Sequence, residues 1–339
     1  MKIDDIDKID TQKIYEIYNK WPEIARESFV KQIKKFDVQD IDHIVFAGMG
    51  GSGSIGDVIG AILSKEDVHV SNVKGYVLPK TVDSKTLIVT TSVSGNTRET
   101  MTVLEKAKNS PAKIAAFSSG GMIKEYCQRN NIFHQEISMI HSPRASFTNF
   151  LYGIINTLET ILPIKRSDVL ESISILDITK KNISSENLTE SNDSLKLAQF
   201  VKEIPCLYYP AGLQSAAIRF KNSLQENAKD YVITEDVIEA CHNSIVSWTT
   251  TNNMNPIFIQ GIDDHVKTKE RWFILKDFFN DKKIECNEVT TTSGGILSKL
   301  VCLIYQLDYT SLYRAILKNV DPGPVEPIDY VKNRLKSNY

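Results

Sequence analysis

HIVFAGMGGSG, residues 43–53, is the stretch of sequence that decides the fold. Residues 43–48 form a short apolar run ending in glycine, which is typical of a buried strand in a parallel sheet. The glycines that follow allow the backbone to bend sharply and to approach a ligand closely. Residues 54–64 then carry apolar side chains at helical spacing. The stretch therefore predicts a strand, a tight turn and a helix whose N-terminal N–H groups can face an anion.

Strands and helices continue to alternate along the chain in two rounds. The second round begins near Pro205 with CLYYPAG, residues 206–212, another apolar run followed by glycine and small residues. Such alternation predicts an α/β fold with two similar halves, each a parallel sheet flanked by helices. Further strands are predicted at 68–73, 86–92, 113–119, 255–261 and 283–290, and further helices at 97–109, 267–279 and 296–307.

Four segments are expected along the chain. Residues 1–40 show helical apolar spacing interrupted by Pro22 and are predicted to form an N-terminal helical segment. Residues 41–164 form the first domain. The polar stretch 165–197 is rich in Ser, Asn, Asp and Glu and is predicted to be a linker or helical bridge. Residues 198–339 form the second domain and end in C-terminal helices.

The composition argues against several classes of protein. The chain has 339 residues, 42% hydrophobic and 24% charged, with a formal net charge of -2, so neither nucleic acid nor an anionic membrane is expected as its main partner. Its apolar runs are too short to span a bilayer, and the acidic N-terminus lacks the apolar region of a secretory signal. Five scattered cysteines without a CxxC pair indicate reduced thiols and a cytoplasmic location. Metal-ligand spacing is absent, so neither a metal nor a cofactor is predicted.

GMGGSG, residues 48–53, matches the GxGxxG pattern of dinucleotide-binding folds. A dinucleotide site also needs an acidic residue for the ribose about 20 residues later, at the end of the second strand. Residues 72–76, NVKGY, contain no carboxylate, and no Gly-Lys-Ser/Thr follows the glycines as it would in a P-loop. A small anion at the helix N-terminus is therefore favoured, and a tight turn without a ligand stays open as the alternative.

TSVSGNT, residues 91–97, follows the strongest predicted strand and precedes another helix. The hydroxyls of Ser92, Ser94 and Thr97 flank a glycine, and hydroxyls with backbone N–H groups can bind a phosphate without a cation. One hydroxyl would be enough for the alternative, an ordinary helix cap. Because both loops follow neighbouring strands at their carboxyl ends, they are expected at the same edge of the sheet.

These two motifs, together with PRAS at 143–146, resemble the sugar isomerase (SIS) fold, with two SIS-like subdomains. FKNSLQENAK at 220–229, EACHNSIVSW at 239–248, SKL at 298–300 and the C-terminal residues 308–335 resemble the archaeal-type bifunctional phosphoglucose/phosphomannose isomerases. The resemblance covers nearly the whole chain and includes the order and spacing of the motifs. It implies interconversion of glucose 6-phosphate and mannose 6-phosphate with fructose 6-phosphate through a cis-enediolate, after ring opening, in glycolysis and gluconeogenesis.

The resemblance also implies a role for each matched residue. Glu226 would be the base, Arg144 would stabilise the enediolate and His242 would open the sugar ring. Lys299 would assist at the ring oxygen, and Thr292 is associated with acceptance of the mannose phosphate. The phosphate would be held by Gly51, Ser52, Ser92, Ser94 and Thr97. The chemistry suits these residue types, since a carboxylate can move a proton between two carbons and a guanidinium can stabilise an oxyanion.

Two positions differ from the family pattern: Val93 lies where an aromatic residue often separates the two serines, and Ser244 lies where an acidic residue often follows His-Asn. The resemblance further implies a homodimer with active sites at the interface, and it allows His242 to come from the neighbouring subunit. Three other readings stay open: an isomerase of glucose phosphate alone or of another sugar phosphate, a non-catalytic sugar-phosphate-binding protein, and a nicotinamide-dependent enzyme, which the missing acidic residue disfavours.

Overall fold

The computed structural model describes residues 1–250 and 253–337 of the chain. Within that part, two all-parallel sheets flanked by helices confirm the predicted α/β class. The strands of the first sheet are β1 (His43–Ala47), β2 (His69–Val73), β3 (Thr86–Ser92), β4 (Lys113–Ser118) and β5 (Phe133–Glu136). Their spatial order is β2-β1-β3-β4-β5. The chain adds β2 on one side of β1 and β3 on the other, so the strand order switches between β1 and β3. Open α/β sheets bind ligands at such a switch point.

The second sheet repeats this plan with one strand fewer. Its strands are β6 (Ile204–Tyr209), β7 (Ile233–Asp236), β8 (Met254–Gln260) and β9 (Asn287–Thr290), in the spatial order β7-β6-β8-β9. The strand order of this sheet switches between β6 and β8. The two halves thus have the similar architecture that the alternation of strands and helices predicts.

Helices cover both sheets and join the halves. In chain order they are α1 (Ile3–Ile9), α2 (Ile14–Asn19), α3 (Trp21–Val30), α4 (Gly50–Ile62), α5 (Arg98–Lys108), α6 (Gly121–Arg129), α7 (Phe147–Thr157), α8 (Arg166–Ile183), α9 (Asp193–Phe200), α10 (Gln214–Ser223), α11 (Val237–Ala240), α12 (Val266–Asp281), α13 (Ile296–Leu317) and α14 (Glu326–Ser337). A π-helical turn, Leu224–Ala228, extends α10.

The predicted boundaries are wrong in several places, each for a physical reason. Helix α4 begins at Gly50, within the glycine loop rather than at residue 54, because its first turn is built from the glycines themselves. Pro22 lies in the first turn of α3, where its missing N–H is not needed, so it marks the start of a helix. Strands β5 and β7, which the pattern did not reveal, have four residues each and lie at sheet edges, where only partial burial leaves a weak apolar signal.

One hydrophobic core connects the two sheets. It includes Phe46 of the first sheet, Leu207 of the second and the apolar face of α13. The N-terminal helices belong to the same core, where the rings of Trp21 and Tyr305 stack with their centroids 5.1 Å apart. Residues 165–197 are largely helical: α8 and α9 pack on α13, so this stretch is a bridge rather than a flexible linker. The four-segment division stays a prediction.

None of the helices among the described residues has the length and apolar character needed to cross a membrane.

Candidate active site

The two loops predicted to bind phosphate lie side by side. Strands β1 and β3 are hydrogen-bonded in parallel register, with Ala47 opposite Thr90, so the loops that follow them leave the same edge of the sheet. Gly48 is required there, because a Cβ at this position would lie 2.9 Å from the Thr91 carbonyl oxygen. Gly50, the first residue of α4, has a φ of 54°, a backbone conformation that glycine adopts at little cost. The first turn of α4 therefore begins beside the loop after β3 and contacts it through Ser52.

Hydrogen bonds between hydroxyls and backbone tie the two loops together. The N–H of Val93 donates to Ser52 Oγ at 3.2 Å, which joins the second loop to the first turn of α4. Ser92 Oγ accepts from the Gly95 N–H at 3.1 Å and lies 2.9 Å from Thr97 Oγ1. Ser94 is exposed beside them. Hydroxyls and N–H groups of both loops therefore lie together, and such groups can bind a small anion.

Arg144 lies next to these loops, although 92 residues separate it from Ser52 in sequence. A Cβ on Gly51 would lie 3.7 Å from Arg144 Cα, at ordinary contact distance, so the turn that carries the arginine packs directly against the first turn of α4. The side chain is buried. Its Nη2 donates to the carbonyl oxygens of Pro322 at 2.6 Å and Gly323 at 3.0 Å, in the segment before α14. Its Nε has no hydrogen-bond partner among the described residues.

Glu226 comes from the second half and meets Arg144. It lies in the middle of the π-helical turn after α10, and its Oε2 accepts from Arg144 Nη1 at 3.2 Å. Its side chain is 28% exposed, against 8% for the side chain of Arg144, so the carboxylate is the more solvent-accessible of the two groups. Lys229 Nζ donates to the Glu226 backbone carbonyl and to the Pro324 carbonyl. Burial, and then the nearby Arg144 charge, lower the pKa of Lys229.

Lys299 and Thr292 lie at the carboxyl edge of the second sheet, without a direct polar contact to this centre in the described structure. Lys299, in the first turn of α13, pairs with Asp263 after β8, with the two charged atoms 2.5 Å apart. Hydrogen bonding from Lys299 lowers the pKa of Asp263. Thr292 follows β9 and donates only to the neighbouring Ser293 carbonyl. In the described part of the chain, no hydrogen bond or ion pair joins Lys299 or Thr292 to Arg144 or Glu226.

His242 is also separate from the other predicted site residues. It follows α11 at the carboxyl end of the edge strand β7, and its side chain is exposed. Its backbone N–H donates to the Glu239 carbonyl, but no hydrogen bond of its imidazole occurs within residues 1–250 and 253–337. A single chain therefore unites the phosphate loops, Arg144 and Glu226, and leaves His242 on an outer surface.

Several residues around the site were missed by the sequence analysis. The backbone carbonyls that hold Arg144, at Pro322 and Gly323, carry no side-chain signal at all. Asp308 pairs with Arg219 in complete burial beneath the site. A signal for this pair was present, since Asp308 interrupts the apolar pattern of α13 and a buried carboxylate requires a partner.

Among the described residues, no three or more His, Cys, Asp or Glu side chains form a group that could hold a metal ion. All five cysteines are unpaired.

Comparison with known proteins agrees with the fold and the motifs. Residues 190–335 match the family model of the bacterial phospho-glucose isomerase C-terminal SIS domain. The chain is 32% identical over 308 residues to a bifunctional phosphoglucose/phosphomannose isomerase of Caldicellulosiruptor bescii, covering 88% of this chain and 90% of that protein. It is 27% identical over 246 residues to a D-glucosamine-6-phosphate 4-epimerase of Sulfolobus acidocaldarius, covering 72% and 76%. A solved structure with a similar fold is the C-terminal domain of glucosamine-fructose-6-phosphate aminotransferase from Francisella tularensis, with TM-score 0.68, 14% identity and coverage of 91% and 96%.

Proposed function

The chain belongs to the bifunctional phosphoglucose/phosphomannose isomerase family, and we propose that, as a sugar-phosphate aldose–ketose isomerase, it interconverts glucose 6-phosphate and mannose 6-phosphate with fructose 6-phosphate. The observation that carries this proposal is the contact between Arg144 and Glu226 beside the two phosphate loops. This contact supports the proposal because it brings a carboxylate and a guanidinium together beside two loops that suit a phosphate.

The phosphate is held by donors of the first half. The Gly51 N–H and the Ser52 hydroxyl, in the first turn of α4, lie at the positive end of the helix dipole. The hydroxyls of Ser92, Ser94 and Thr97 complete the binding group. A six-carbon sugar anchored here by its terminal phosphate extends its C1 and C2 atoms away from the loops, towards the second half.

Glu226 moves the proton. Its carboxylate takes the proton from C2 of the open-chain aldose, leaving a cis-enediolate, and returns that proton to C1 while the hydroxyl proton on O2 passes to O1. General acid–base catalysis of this kind accelerates a reaction about 10²–10⁴-fold. Arg144 stabilises the negative oxygen of the intermediate, since its guanidinium is fixed by two carbonyls before substrate arrives.

Ring opening and sugar selection are assigned to the second half. We propose a homodimer in which His242, exposed on one chain, reaches the site of its neighbour and transfers the proton that opens the ring. Exposed Val246, four residues after this histidine, is consistent with a contact surface. Lys299 acts at the ring oxygen and Thr292 favours the mannose phosphate. The reduced, unpaired cysteines favour the cytoplasm.

An assay with purified protein tests the proposal. Glucose 6-phosphate and mannose 6-phosphate are each supplied with EDTA present, and fructose 6-phosphate is measured. Product from both substrates is expected. No product from either would contradict the isomerase, product from glucose 6-phosphate alone would restrict it to that sugar, and loss of activity with EDTA would contradict a metal-free reaction.

The similarity to a glucosamine-6-phosphate epimerase favours one alternative that the same assay can address. Glucosamine 6-phosphate is supplied in parallel and the products are resolved by NMR. Inversion at C4 with no ketose formation would favour the epimerase over the isomerase.

A further inference from the structure

A buried ion pair lies directly beneath the candidate site. Arg219 of α10 and Asp308 of α13 have side chains only 3% and 0% exposed, and Arg219 Nη2 lies 2.5 Å from Asp308 Oδ2. Arg219 Nε donates to the same oxygen at 3.2 Å. Burial raises the pKa of Asp308, and the arginine opposes that rise. Removing two charges from water can cost as much free energy as their attraction returns. A buried ion pair is therefore weak evidence of a stabilising role, and its presence calls for another explanation.

Each end of this pair continues to a residue of the site. Arg219 Nη2 also donates to the backbone carbonyl of Arg144 at 3.0 Å. At the other end, Asp308 Oδ1 accepts from Ser223 Oγ at 2.7 Å. Ser223 directly precedes the π-helical turn that carries Glu226. One buried carboxylate is therefore linked both to the backbone of the arginine and to the segment that presents the base.

The arginine of the pair cannot easily move. Its guanidinium lies 4.1 Å from the centroid of the Phe147 ring and 5.7 Å from that of Trp21. Phe147 begins α7, three residues after Arg144. The guanidinium thus packs against two aromatic rings. Its N–H groups donate to both the Asp308 carboxylate and the Arg144 carbonyl oxygen.

We propose that Arg219 and Asp308 are positioning residues that set the distance between Arg144 and Glu226 across the two halves of the protein. This inference rests on the proposed function, because it concerns the spacing of the two groups that act on C2. A displacement of about 1 Å between reacting groups can cost about 100-fold in rate. The pair touches no substrate in this scheme, so substrate binding through the phosphate loops is independent of it.

The substitution Arg219→Lys tests the proposal. Lysine keeps the charge opposite Asp308 but lacks the planar fork that reaches both the carboxylate and the Arg144 carbonyl. We expect kcat per folded molecule to fall about 10-fold or more, with KM for glucose 6-phosphate within about twofold of wild type. With substrate deuterated at C2, the isotope effect on kcat is expected to be at least as large as in the wild type, because proton transfer is the slowed step.

Asn192→Ala is the matched control. This buried amide donates to backbone carbonyls and caps α9, outside the site, so its loss lowers the melting temperature and leaves kcat per folded molecule unchanged. Ser223→Ala, which removes only the hydroxyl that joins Asp308 to the π-helical turn, is the milder second variant if Arg219→Lys does not fold; kcat is expected to fall about threefold or more.

The outcomes separate the two proposals. If the wild type is active and the Arg219→Lys and Ser223→Ala variants have the same kcat, the positioning role is overturned and the proposed function is not. A fall in kcat with an isotope effect reduced to one would also overturn it, since proton transfer would not be the slowed step. A wild type that forms no fructose 6-phosphate would overturn the proposed function.

Discussion

Arg144 of the first half donates from Nη1 to Glu226 Oε2 of the second half, and this contact joins two residues that are 82 positions apart in the chain. The guanidinium is nearly buried and its other terminal nitrogen is held by two carbonyls, so it serves as the fixed partner. The carboxylate is more exposed and lies on a short turn. Within the pair, the carboxylate is therefore the group with more freedom to reorient.

The first prediction concerns the base. Glu226→Gln keeps the size of the side chain and an oxygen that can accept from Arg144, but removes the proton acceptor. We expect kcat to fall about 10²–10⁴-fold while KM changes by less than about threefold, measured by fructose 6-phosphate formation. Glu125→Gln, an exposed glutamate on α6, is the control and is expected to match wild type. Near wild-type turnover by Glu226→Gln would mean that another group is the base.

The second prediction concerns the phosphate loops. Thr97→Val is nearly isosteric and removes a hydroxyl whose partner in the described structure is Ser92. Because hydrogen bonds to a charged group contribute about 1.5–3 kcal/mol, KM for either hexose phosphate is expected to rise about 10-fold or more, with a smaller change in kcat. Inhibition by inorganic phosphate should weaken in parallel. Ser64→Ala, just beyond the other end of α4, is the control. An unchanged KM in Thr97→Val would show that the Thr97 hydroxyl does not bind the phosphate.

The third prediction concerns His242 and the proposed dimer. Glu226→Gln and His242→Asn chains are co-expressed with different tags, and mixed dimers are purified on both. If His242 acts in its neighbour's site, one site of each mixed dimer carries both changes and the other carries neither, so about half of wild-type activity returns.

Two results would contradict that arrangement. Mixed dimers as inactive as the two parent variants would mean that His242 acts within its own chain. A monomeric mass by light scattering for active wild-type protein would contradict the dimer itself.

The fourth prediction concerns stability at mildly acidic pH. Burial, and then the charge of the neighbouring His69, lower the pKa of His43 from its ordinary 6.5. The imidazole lies 2.9 Å from Ser71 Oγ at the start of the first sheet. The unfolded chain therefore binds a proton more readily than the folded chain, and the stabilisation present above pH 6.5 is lost as pH falls through the lower folded-state pKa.

Chemical denaturation at about pH 7.5 and about pH 5.5 measures this effect. The free energy of unfolding should fall less between the two values in His43→Gln than in wild type. His265→Asn, an exposed histidine whose ring caps α12, is the control for loss of a histidine. An equal fall in His43→Gln and wild type would show that His43 does not contribute.

Much of the fold and half of the candidate site could be predicted from the sequence. Apolar runs at 43–47 and 86–92 are strongly local signals, because a strand buried on both faces must be apolar throughout. The glycines and hydroxyls after these strands are equally local, and parallel neighbours bring them to one edge. The family resemblance is confirmed by relatives of similar length. The roles assigned to single residues stay predictions.

Apart from the edge strands β5 and β7, the sequence by itself determined the alternation of strands and helices. It also determined the glycine-rich and hydroxyl-rich loops and the kinds of side chain available for the chemistry, because each depends on residues close together in the chain. Only the tertiary structure decided which of them meet. It put Arg144 against Glu226, paired Lys299 with Asp263 and exposed the side chain of His242. It also supplied partners that have no local pattern: carbonyls at Pro322 and Gly323, and the buried link from Arg219 to Asp308. Such contacts depend on how helices from distant parts of the chain pack around one core, and spacing along the sequence does not specify that.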